Sequence, residues 1–343
     1  MNRSSEAPPF WWQEPDWRAY ALYPLSRIYG LVAARRMHSA RREKIDAPVL
    51  CIGNFTVGGT GKTPVAIAFA RQARRMHLRP GFLSRGHGGT FVKPHLVDRH
   101  HDSARHVGDE PLLLADHGLV AVTPNRAAGA AMLIEKGCNF LIMDDGFQSA
   151  RIHMDYSLIV IDGRYGLGNG HVIPGGPMRA RLIDQLPFAT GILKMGEERG
   201  GDAVVRLASR AGKPVLAGTV RPHHPERLAG QRFLAFAGIG HPEKFYDTIM
   251  KAGGEIVQTR SFADHHFFAP DEVAELAAAA RAAGLQLITT SKDAARLRNG
   301  AAPAEFLQEL QILEIEAVFE SLDTVERIIE ETVEAWRHRR NQK

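Results

Sequence analysis

Hydrophobic residues fall along this chain in two alternating rhythms. Short apolar runs bounded by glycine, proline or charge recur at 49–55, 81–84, 119–123, 140–144 and 156–162. Runs of this length with such boundaries read as strands buried on both faces. Between them, 62–77, 110–117 and 126–136 return apolar positions every three or four residues and read as helices. Strands and helices in alternation predict a mostly parallel sheet covered on both sides. From about residue 187 the rhythm restarts, with strand candidates at 190–194, 214–220, 233–237, 255–262 and 285–289. Helices are expected near 242–252, 270–283 and 322–338. The expected division is an N-terminal segment 1–45, a first α/β unit 46–185 and a smaller α/β unit 186–343 that closes over it.

The N-terminal segment follows a different pattern. Trp11, Trp12 and Trp17 lead into Tyr20, Tyr23 and Tyr29, and Leu22, Leu25, Tyr29 and Val32 fall at helical spacing. Arg18 and Arg27 interrupt the run, so it never reaches the roughly 20 apolar residues that a membrane span needs. The order of basic, apolar and small residues that marks a signal peptide is missing. Arg35-Arg36, Arg41-Arg42 and Lys44 follow. Two readings stand. The segment is a helix lying in a membrane interface with arginines on lipid phosphate, or a helix packed on the protein's own core with a solvated basic exit.

Composition narrows the field only a little. A chain of 343 residues suggests two domains, since single cores rarely grow past roughly 250–300 residues. Cys51 and Cys138 lie in apolar segments and read as small core residues of a reduced protein, not as a disulfide or metal framework. A net charge of +5 suits anionic partners. No aromatic-interleaved basic repeat or zinc-finger spacing supports nucleic acid.

Candidate chemistry collects where such sheets bind ligands, at the carboxyl ends of strands. The first strand breaks into Thr56-Val57-Gly58-Gly59-Thr60-Gly61, and Lys62-Thr63 opens a helix with Pro64 in its first turn. Glycines there let backbone N–H groups approach phosphate oxygens, and the helix N-terminus adds its positive dipole end. Lys62 is placed to reach the β- and γ-phosphates and the Thr63 hydroxyl to ligate magnesium. Thr56 stands where the strict motif has its first glycine. A second strand runs into Ser84-Arg85-Gly86, where Arg85 is either a phosphate clamp or an exposed loop arginine. A third ends in Asp144-Asp145-Gly146-Phe147-Gln148, whose acids suit a second magnesium anchor or an N-cap. Asp109 and Glu110 open another helix, and read on their own they are first-turn acids favoured by the dipole.

The stretch 162–181 is rich in glycine and suits a substrate-facing loop or hinge, with Arg179 and Arg181 adding positive charge. In the second half, Asp264-His265-His266 and Ser291-Lys292-Asp293 sit at strand ends. Vicinal histidines diverge, so at most one reaches a shared site, and their spacing does not suit zinc. Lys292 followed directly by Asp293 is not a guanine reader, which leaves ATP as the better nucleotide.

Taken together these motifs resemble the tetraacyldisaccharide 4'-kinase family. The likeness rests on PLSRIYGLVAA, GNFTVGGTGKTP, SRGHGG, VGDEPLLLA, the Asn-Arg of TPNRAAG and MDDGFQ. It continues through GNGHVIPGGPMR, FAGIGHPEKF, FADHHFF and TTSKDAARL, in that order along most of the chain. The resemblance implies a P-loop NTPase-type α/β fold with a second, smaller α/β domain and an N-terminal amphipathic helix. It also implies transfer of phosphate from Mg2+-ATP to the 4'-hydroxyl of a tetraacylated glucosamine disaccharide 1-phosphate, forming lipid IVA. The implied setting is peripheral, at the cytoplasmic face of the bacterial inner membrane, with no obligate protein partner.

Carried onto this chain, the resemblance makes Asp109 the base for the sugar hydroxyl, with His265 pairing with it. It gives Thr56, Gly58, Gly59, Thr60, Gly61, Lys62, Thr63, Arg85 and Gln148 to the nucleotide. Thr63, Glu110, Asp144 and Asp145 go to magnesium. His87, Gly175 and Ala180-Arg181 depart from the common family pattern. A soluble partition- or metallochaperone-type ATPase shares the variant loop and is the rival enzyme class. A membrane-docking nucleotide sensor is the rival binding module.

Overall fold

A computed structural model describes residues 7–342 apart from 87, 88, 90, 92, 150, 299, 301 and 322. His87 therefore lies outside the described residues. Two sheets carry the fold. In the larger, the strands run in the order Ile315–Phe319, Val215–Pro222, Gly191–Met195, Tyr156–Asp162, Val49–Gly53, Phe140–Asp144, Pro80–Ser84, Leu119–Val122 and His95–Leu96. Its two outermost pairs are antiparallel and the rest parallel. The smaller sheet is parallel throughout, in the order Glu255–Ser261, Arg232–Ala237, Gln286–Thr290 and Gln311–Leu313.

Period-two alternation divides the core of the larger sheet. Leu50, Ile52, Phe82 and Ile142 join the Lys62–Arg75 helix on one face, and Cys51, Leu83, Leu141 and Met143 form the core of the other. Each fully buried phenylalanine, Phe69 and Phe82 among them, contributes about 1.5–3 kcal/mol. Both cysteines are free and buried, as expected of small core residues.

Sheet pairing departs from the division expected at 185/186. Gly191–Met195 and Val215–Pro222 extend the larger sheet, since Gly191–Met195 pairs in parallel with Tyr156–Asp162. The chain also returns after Leu313. Ile315–Phe319 pairs with Val215–Pro222, and the Thr324–Asn341 helix buries Val325, Ile328 and Ile329 in the larger core. The smaller sheet is thus an insertion, joined to the larger by two crossings that lie side by side. His223 N–H donates to the Glu314 carbonyl at 2.8 Å where they pass.

The N-terminal segment forms the helices Trp17–Ala21 and Tyr23–Ser39, the first capped by the Asp16 carboxylate. Ser26, Gly30, Ala34 and Met37 make the buried face of the second. Ser26 Oγ accepts from Gly175 N–H at 3.0 Å, which fastens the helix to the glycine-rich loop. The large apolar residues point the other way: Trp17, Tyr20, Tyr23, Leu25, Ile28, Tyr29, Leu31 and Val32 are all exposed. Small residues pack inward and the apolar stripe faces out, the reverse of an ordinary core-packed helix.

Candidate active site

The phosphate loop joins Val49–Gly53 to Lys62–Arg75 and is pinned from behind. Val57 N–H donates to the Pro177 carbonyl at 2.9 Å and Arg179 N–H to that of Phe55 at 3.0 Å. Thr56 is buried in a bridge with Met178, so it shapes the loop's root. Gly58 and Gly61 adopt positive φ, and a Cβ at Gly59 would meet no atom within 4 Å. The loop tip therefore opens onto free space, while Lys62 and Thr63 are buried at the helix start. Arg85 is exposed at the end of its strand, and its charge opposes that of Arg126.

Gln148, expected at the nucleotide, is held within the protein beneath the loop. Its amide donates to the Asn54 carbonyl at 2.6 Å and to Gln185 at 2.9 Å, while its oxygen accepts from Arg179 at 3.2 Å. With both ends engaged, it braces the loop from beneath.

Asp144 and Asp145 end the central strand in different states. Arg179 grips Asp145 through two hydrogen bonds of 3.0 and 2.9 Å, and Lys62 Nζ lies 3.7 Å away. Burial opposes ionisation of Asp145, but Lys62 and Arg179 outweigh it and hold the carboxyl well below its usual range. Asp145 also takes a left-handed backbone at φ 51°, costly for a non-glycine residue unless its surroundings hold it there. Asp144 has no such partners. It is buried, and its Oδ1 is without a hydrogen bond among the described residues. Burial, and behind it Glu110, push its pKa up to about 7.

A buried carboxylate with an unpartnered oxygen beside a phosphate loop fits a divalent cation. No three His, Cys, Asp or Glu side chains form a closed metal cluster among the described residues. Magnesium does not require one, since it takes one or two carboxylates and fills its remaining positions with phosphate and water. Thr63, Asp144 and Glu110 are the residues that would supply such a donor set. Asp145 is tied to Arg179 and stands behind it.

Asp109 and Glu110 meet the other sheet. Arg296 pairs with Asp109, and His265 Nδ1 lies 3.6 Å from the same carboxylate. Burial again works against ionisation, but the His265 hydrogen bond and the charges of Arg296 and Lys292 hold Asp109 well below its usual range. The same bond raises His265 above its ordinary value. His265 has φ 60°, and its N–H donates to the Gly238 carbonyl at 3.1 Å. The vicinal histidines do diverge: His266 turns away, stacks on Phe262 and meets Glu272 at 2.7 Å. Lys292 Nζ donates to Glu110 Oε1 at 2.6 Å, and its charge holds the Glu110 carboxyl low.

Arg126, Arg179, Lys292 and Arg296 complete the site, though none was singled out as a site residue from sequence. Arg126 is buried with Nη1 unpartnered among the described residues, and burial lowers its pKa to about 10. Each stands in a polar stretch at a strand end or in the glycine-rich loop. That position was legible, but the pairing of Arg179 with Asp145 and of Lys292 and Arg296 with acids across the cleft was not.

The chain matches the family model described as tetraacyldisaccharide-1-P 4'-kinase over residues 18–334. It is 68% identical to the tetraacyldisaccharide 4'-kinase of Mesorhizobium japonicum over 338 residues, covering 98% of this chain and 99% of that one. To the protein of the same name from Chelativorans sp. it is 56% identical, with 98% of each chain covered. Among solved structures, LpxK from Aquifex aeolicus in complex with ATP superposes with a TM-score of 0.72. That likeness spans 92% of this chain and 99% of the other at 22% identity, and supports the fold.

Proposed function

The chain belongs to the tetraacyldisaccharide-1-P 4'-kinase family, and from that premise we propose that its two sheets assemble a lipid kinase site. The reaction is transfer of the γ-phosphoryl group of ATP to the 4'-hydroxyl of a tetraacylated glucosamine disaccharide 1-phosphate. The observation that carries this reading is the pairing of Asp109, beside the phosphate loop's sheet, with His265 from the other sheet.

The phosphate loop backbone and Lys62 hold the donor's phosphates. Thr63 and Asp144, with Glu110 beside them, would hold Mg2+, which when bound draws off charge from the phosphates. Asp109 accepts a hydrogen bond from the sugar hydroxyl. Its depressed pKa makes it a weak base, which suits a loose transition state where the proton leaves late. His265 and Arg296 orient that carboxylate, and because they come from the smaller sheet, their approach completes the site and excludes water.

The acceptor is a lipid, and the outward apolar stripe of the N-terminal helices suits a membrane surface. Its aromatic rings match the headgroup level, and Arg18, Arg27, Arg35 and Arg36, all exposed, match anionic lipid. No helix among the described residues is long and apolar enough to cross a membrane. The protein is read as a peripheral enzyme of the cytoplasmic face of the inner membrane. Incubation with γ-labelled ATP and the disaccharide lipid tests the activity. Label appears in the lipid if the reading holds, and ATP turnover without lipid labelling contradicts it.

A further inference from the structure

Lys292 is not used by the reaction as described so far. It opens the Ser291–Arg298 helix on the smaller sheet, and its ammonium crosses to Glu110 on the larger at 2.6 Å. The turn that aims it is tightly built. Thr290 Oγ1 donates to Asp293 Oδ2 at 2.7 Å, and Asp293 Oδ1 accepts from Gly238 N–H at 3.1 Å and Arg296 at 2.8 Å. Thr289 Oγ1 fastens the preceding strand to the Phe236 carbonyl at 2.7 Å.

The ammonium arrives among acids. Asp109 and Glu110 both act on it, and its own charge acts on Asp144, whose Oδ1 is buried and has no hydrogen-bond partner among the described residues. A cation gains there, because adjacent buried carboxylates repel one another until a positive charge joins them.

We propose that Lys292 is the resident counter-ion of this acid group, competing with the divalent metal for Glu110 and, once displaced, lending its charge to the transferred phosphoryl group. The inference rests on the reading of Glu110 and Asp144 as metal-facing carboxylates. It makes the smaller sheet a source of charge for phosphoryl transfer as well as an orienter of the base. Positive groups held in advance around a transferring phosphoryl group are the main means by which such sites work.

The test is a titration of Mn2+ alone into the full-length protein at pH 8, followed by the loss of its free paramagnetic signal. It compares wild type, Lys292→Gln, Lys292→Arg and Glu110→Gln, each checked for wild-type-like melting. Lys292→Gln is expected to bind Mn2+ about tenfold more tightly, because a competing charge within ion-pair distance is gone. Its kcat is expected to fall by about 10²–10³-fold while KM for ATP stays within about threefold. Lys292→Arg keeps wild-type metal affinity and recovers part of the rate.

If Lys292→Gln binds Mn2+ no more tightly while Glu110→Gln binds it more weakly, the counter-ion role is overturned and the metal site stands. If both variants bind as wild type does, the metal reading of Glu110 falls, and the proposal with it. Tighter Mn2+ binding with kcat unchanged overturns the charge lent to the phosphoryl group.

Discussion

The larger sheet meets the cleft with carboxylates, Asp109, Glu110, Asp144 and Asp145, whereas the smaller sheet meets it with Lys292, Arg296 and His265. The larger sheet's half is built locally. Its phosphate loop follows Val49–Gly53 and leads to Lys62 at the next helix start, and Asp144 ends the adjacent parallel strand, with the register fixed by a buried core. The smaller sheet's half is not local, since Lys292, Arg296 and His265 reach Asp109 and Glu110 from a separate sheet. The difference teaches a division of labour. On the proposed reading the first half binds the donor and the second governs transfer.

That contrast can be broken most severely at Lys62. Lys62→Ala is expected to remove ATP binding and lower activity by about 10³-fold or more, because it takes away the phosphate ligand and one of the charges on Asp145. Nucleotide titration and a lipid-labelling assay check both losses. Retained ATP affinity in this variant would place the donor elsewhere.

Asp144 sharpens the comparison through pH. Its folded pKa of about 7 stands above the ordinary aspartate value of 3.8, so the folded, metal-free protein binds more protons than the unfolded chain between those values. Stability contributed by this group therefore falls as pH rises from about 4 to about 7. Asp144→Asn removes that slope. Above pH 7 the metal-free variant is expected to exceed wild type by roughly 2–4 kcal/mol, the difference closing below about pH 4. Its kinase activity is nonetheless lost. Denaturant melts at several pH values without metal check this, and a variant less stable than wild type at pH 8 contradicts it.

The smallest effect belongs to the membrane face, which stands apart from both halves. Ile28→Glu together with Leu31→Glu alters two exposed positions and leaves the buried side of the helix intact. Partitioning onto vesicles containing anionic lipid is expected to weaken about tenfold, with melting unchanged. Unaltered partitioning removes the stripe from the docking surface.

Sequence patterning reached the first half of the site far better than the second. Strand, glycine loop, Lys62 and Thr63 are contiguous, so their chemistry is written in one stretch, and Asp144 closes an apolar run. Asp109 read alone as an ordinary first-turn acid, and resemblance reassigned it. What marks it structurally is Arg296, 187 residues away along the chain. No local pattern states such a pairing. The same holds for Arg179 on Asp145 and Lys292 on Glu110. Gln148 came to the site by resemblance, and its hydrogen bonds to Asn54 and Gln185 beneath the loop were not legible either. The membership of Gly191–Met195 and Val215–Pro222 in the larger sheet was hidden for a related reason. Strand order is set by which edges meet after folding, and two apolar runs carry no mark of the sheet they will join.

The division of labour is tested most directly by measuring ATP affinity and turnover on one preparation of His265→Gln beside wild type. The account predicts ATP affinity within about threefold of wild type and kcat toward the lipid acceptor lower by about 10²-fold or more. A parallel loss of affinity and rate, or a rate left unchanged, would contradict it.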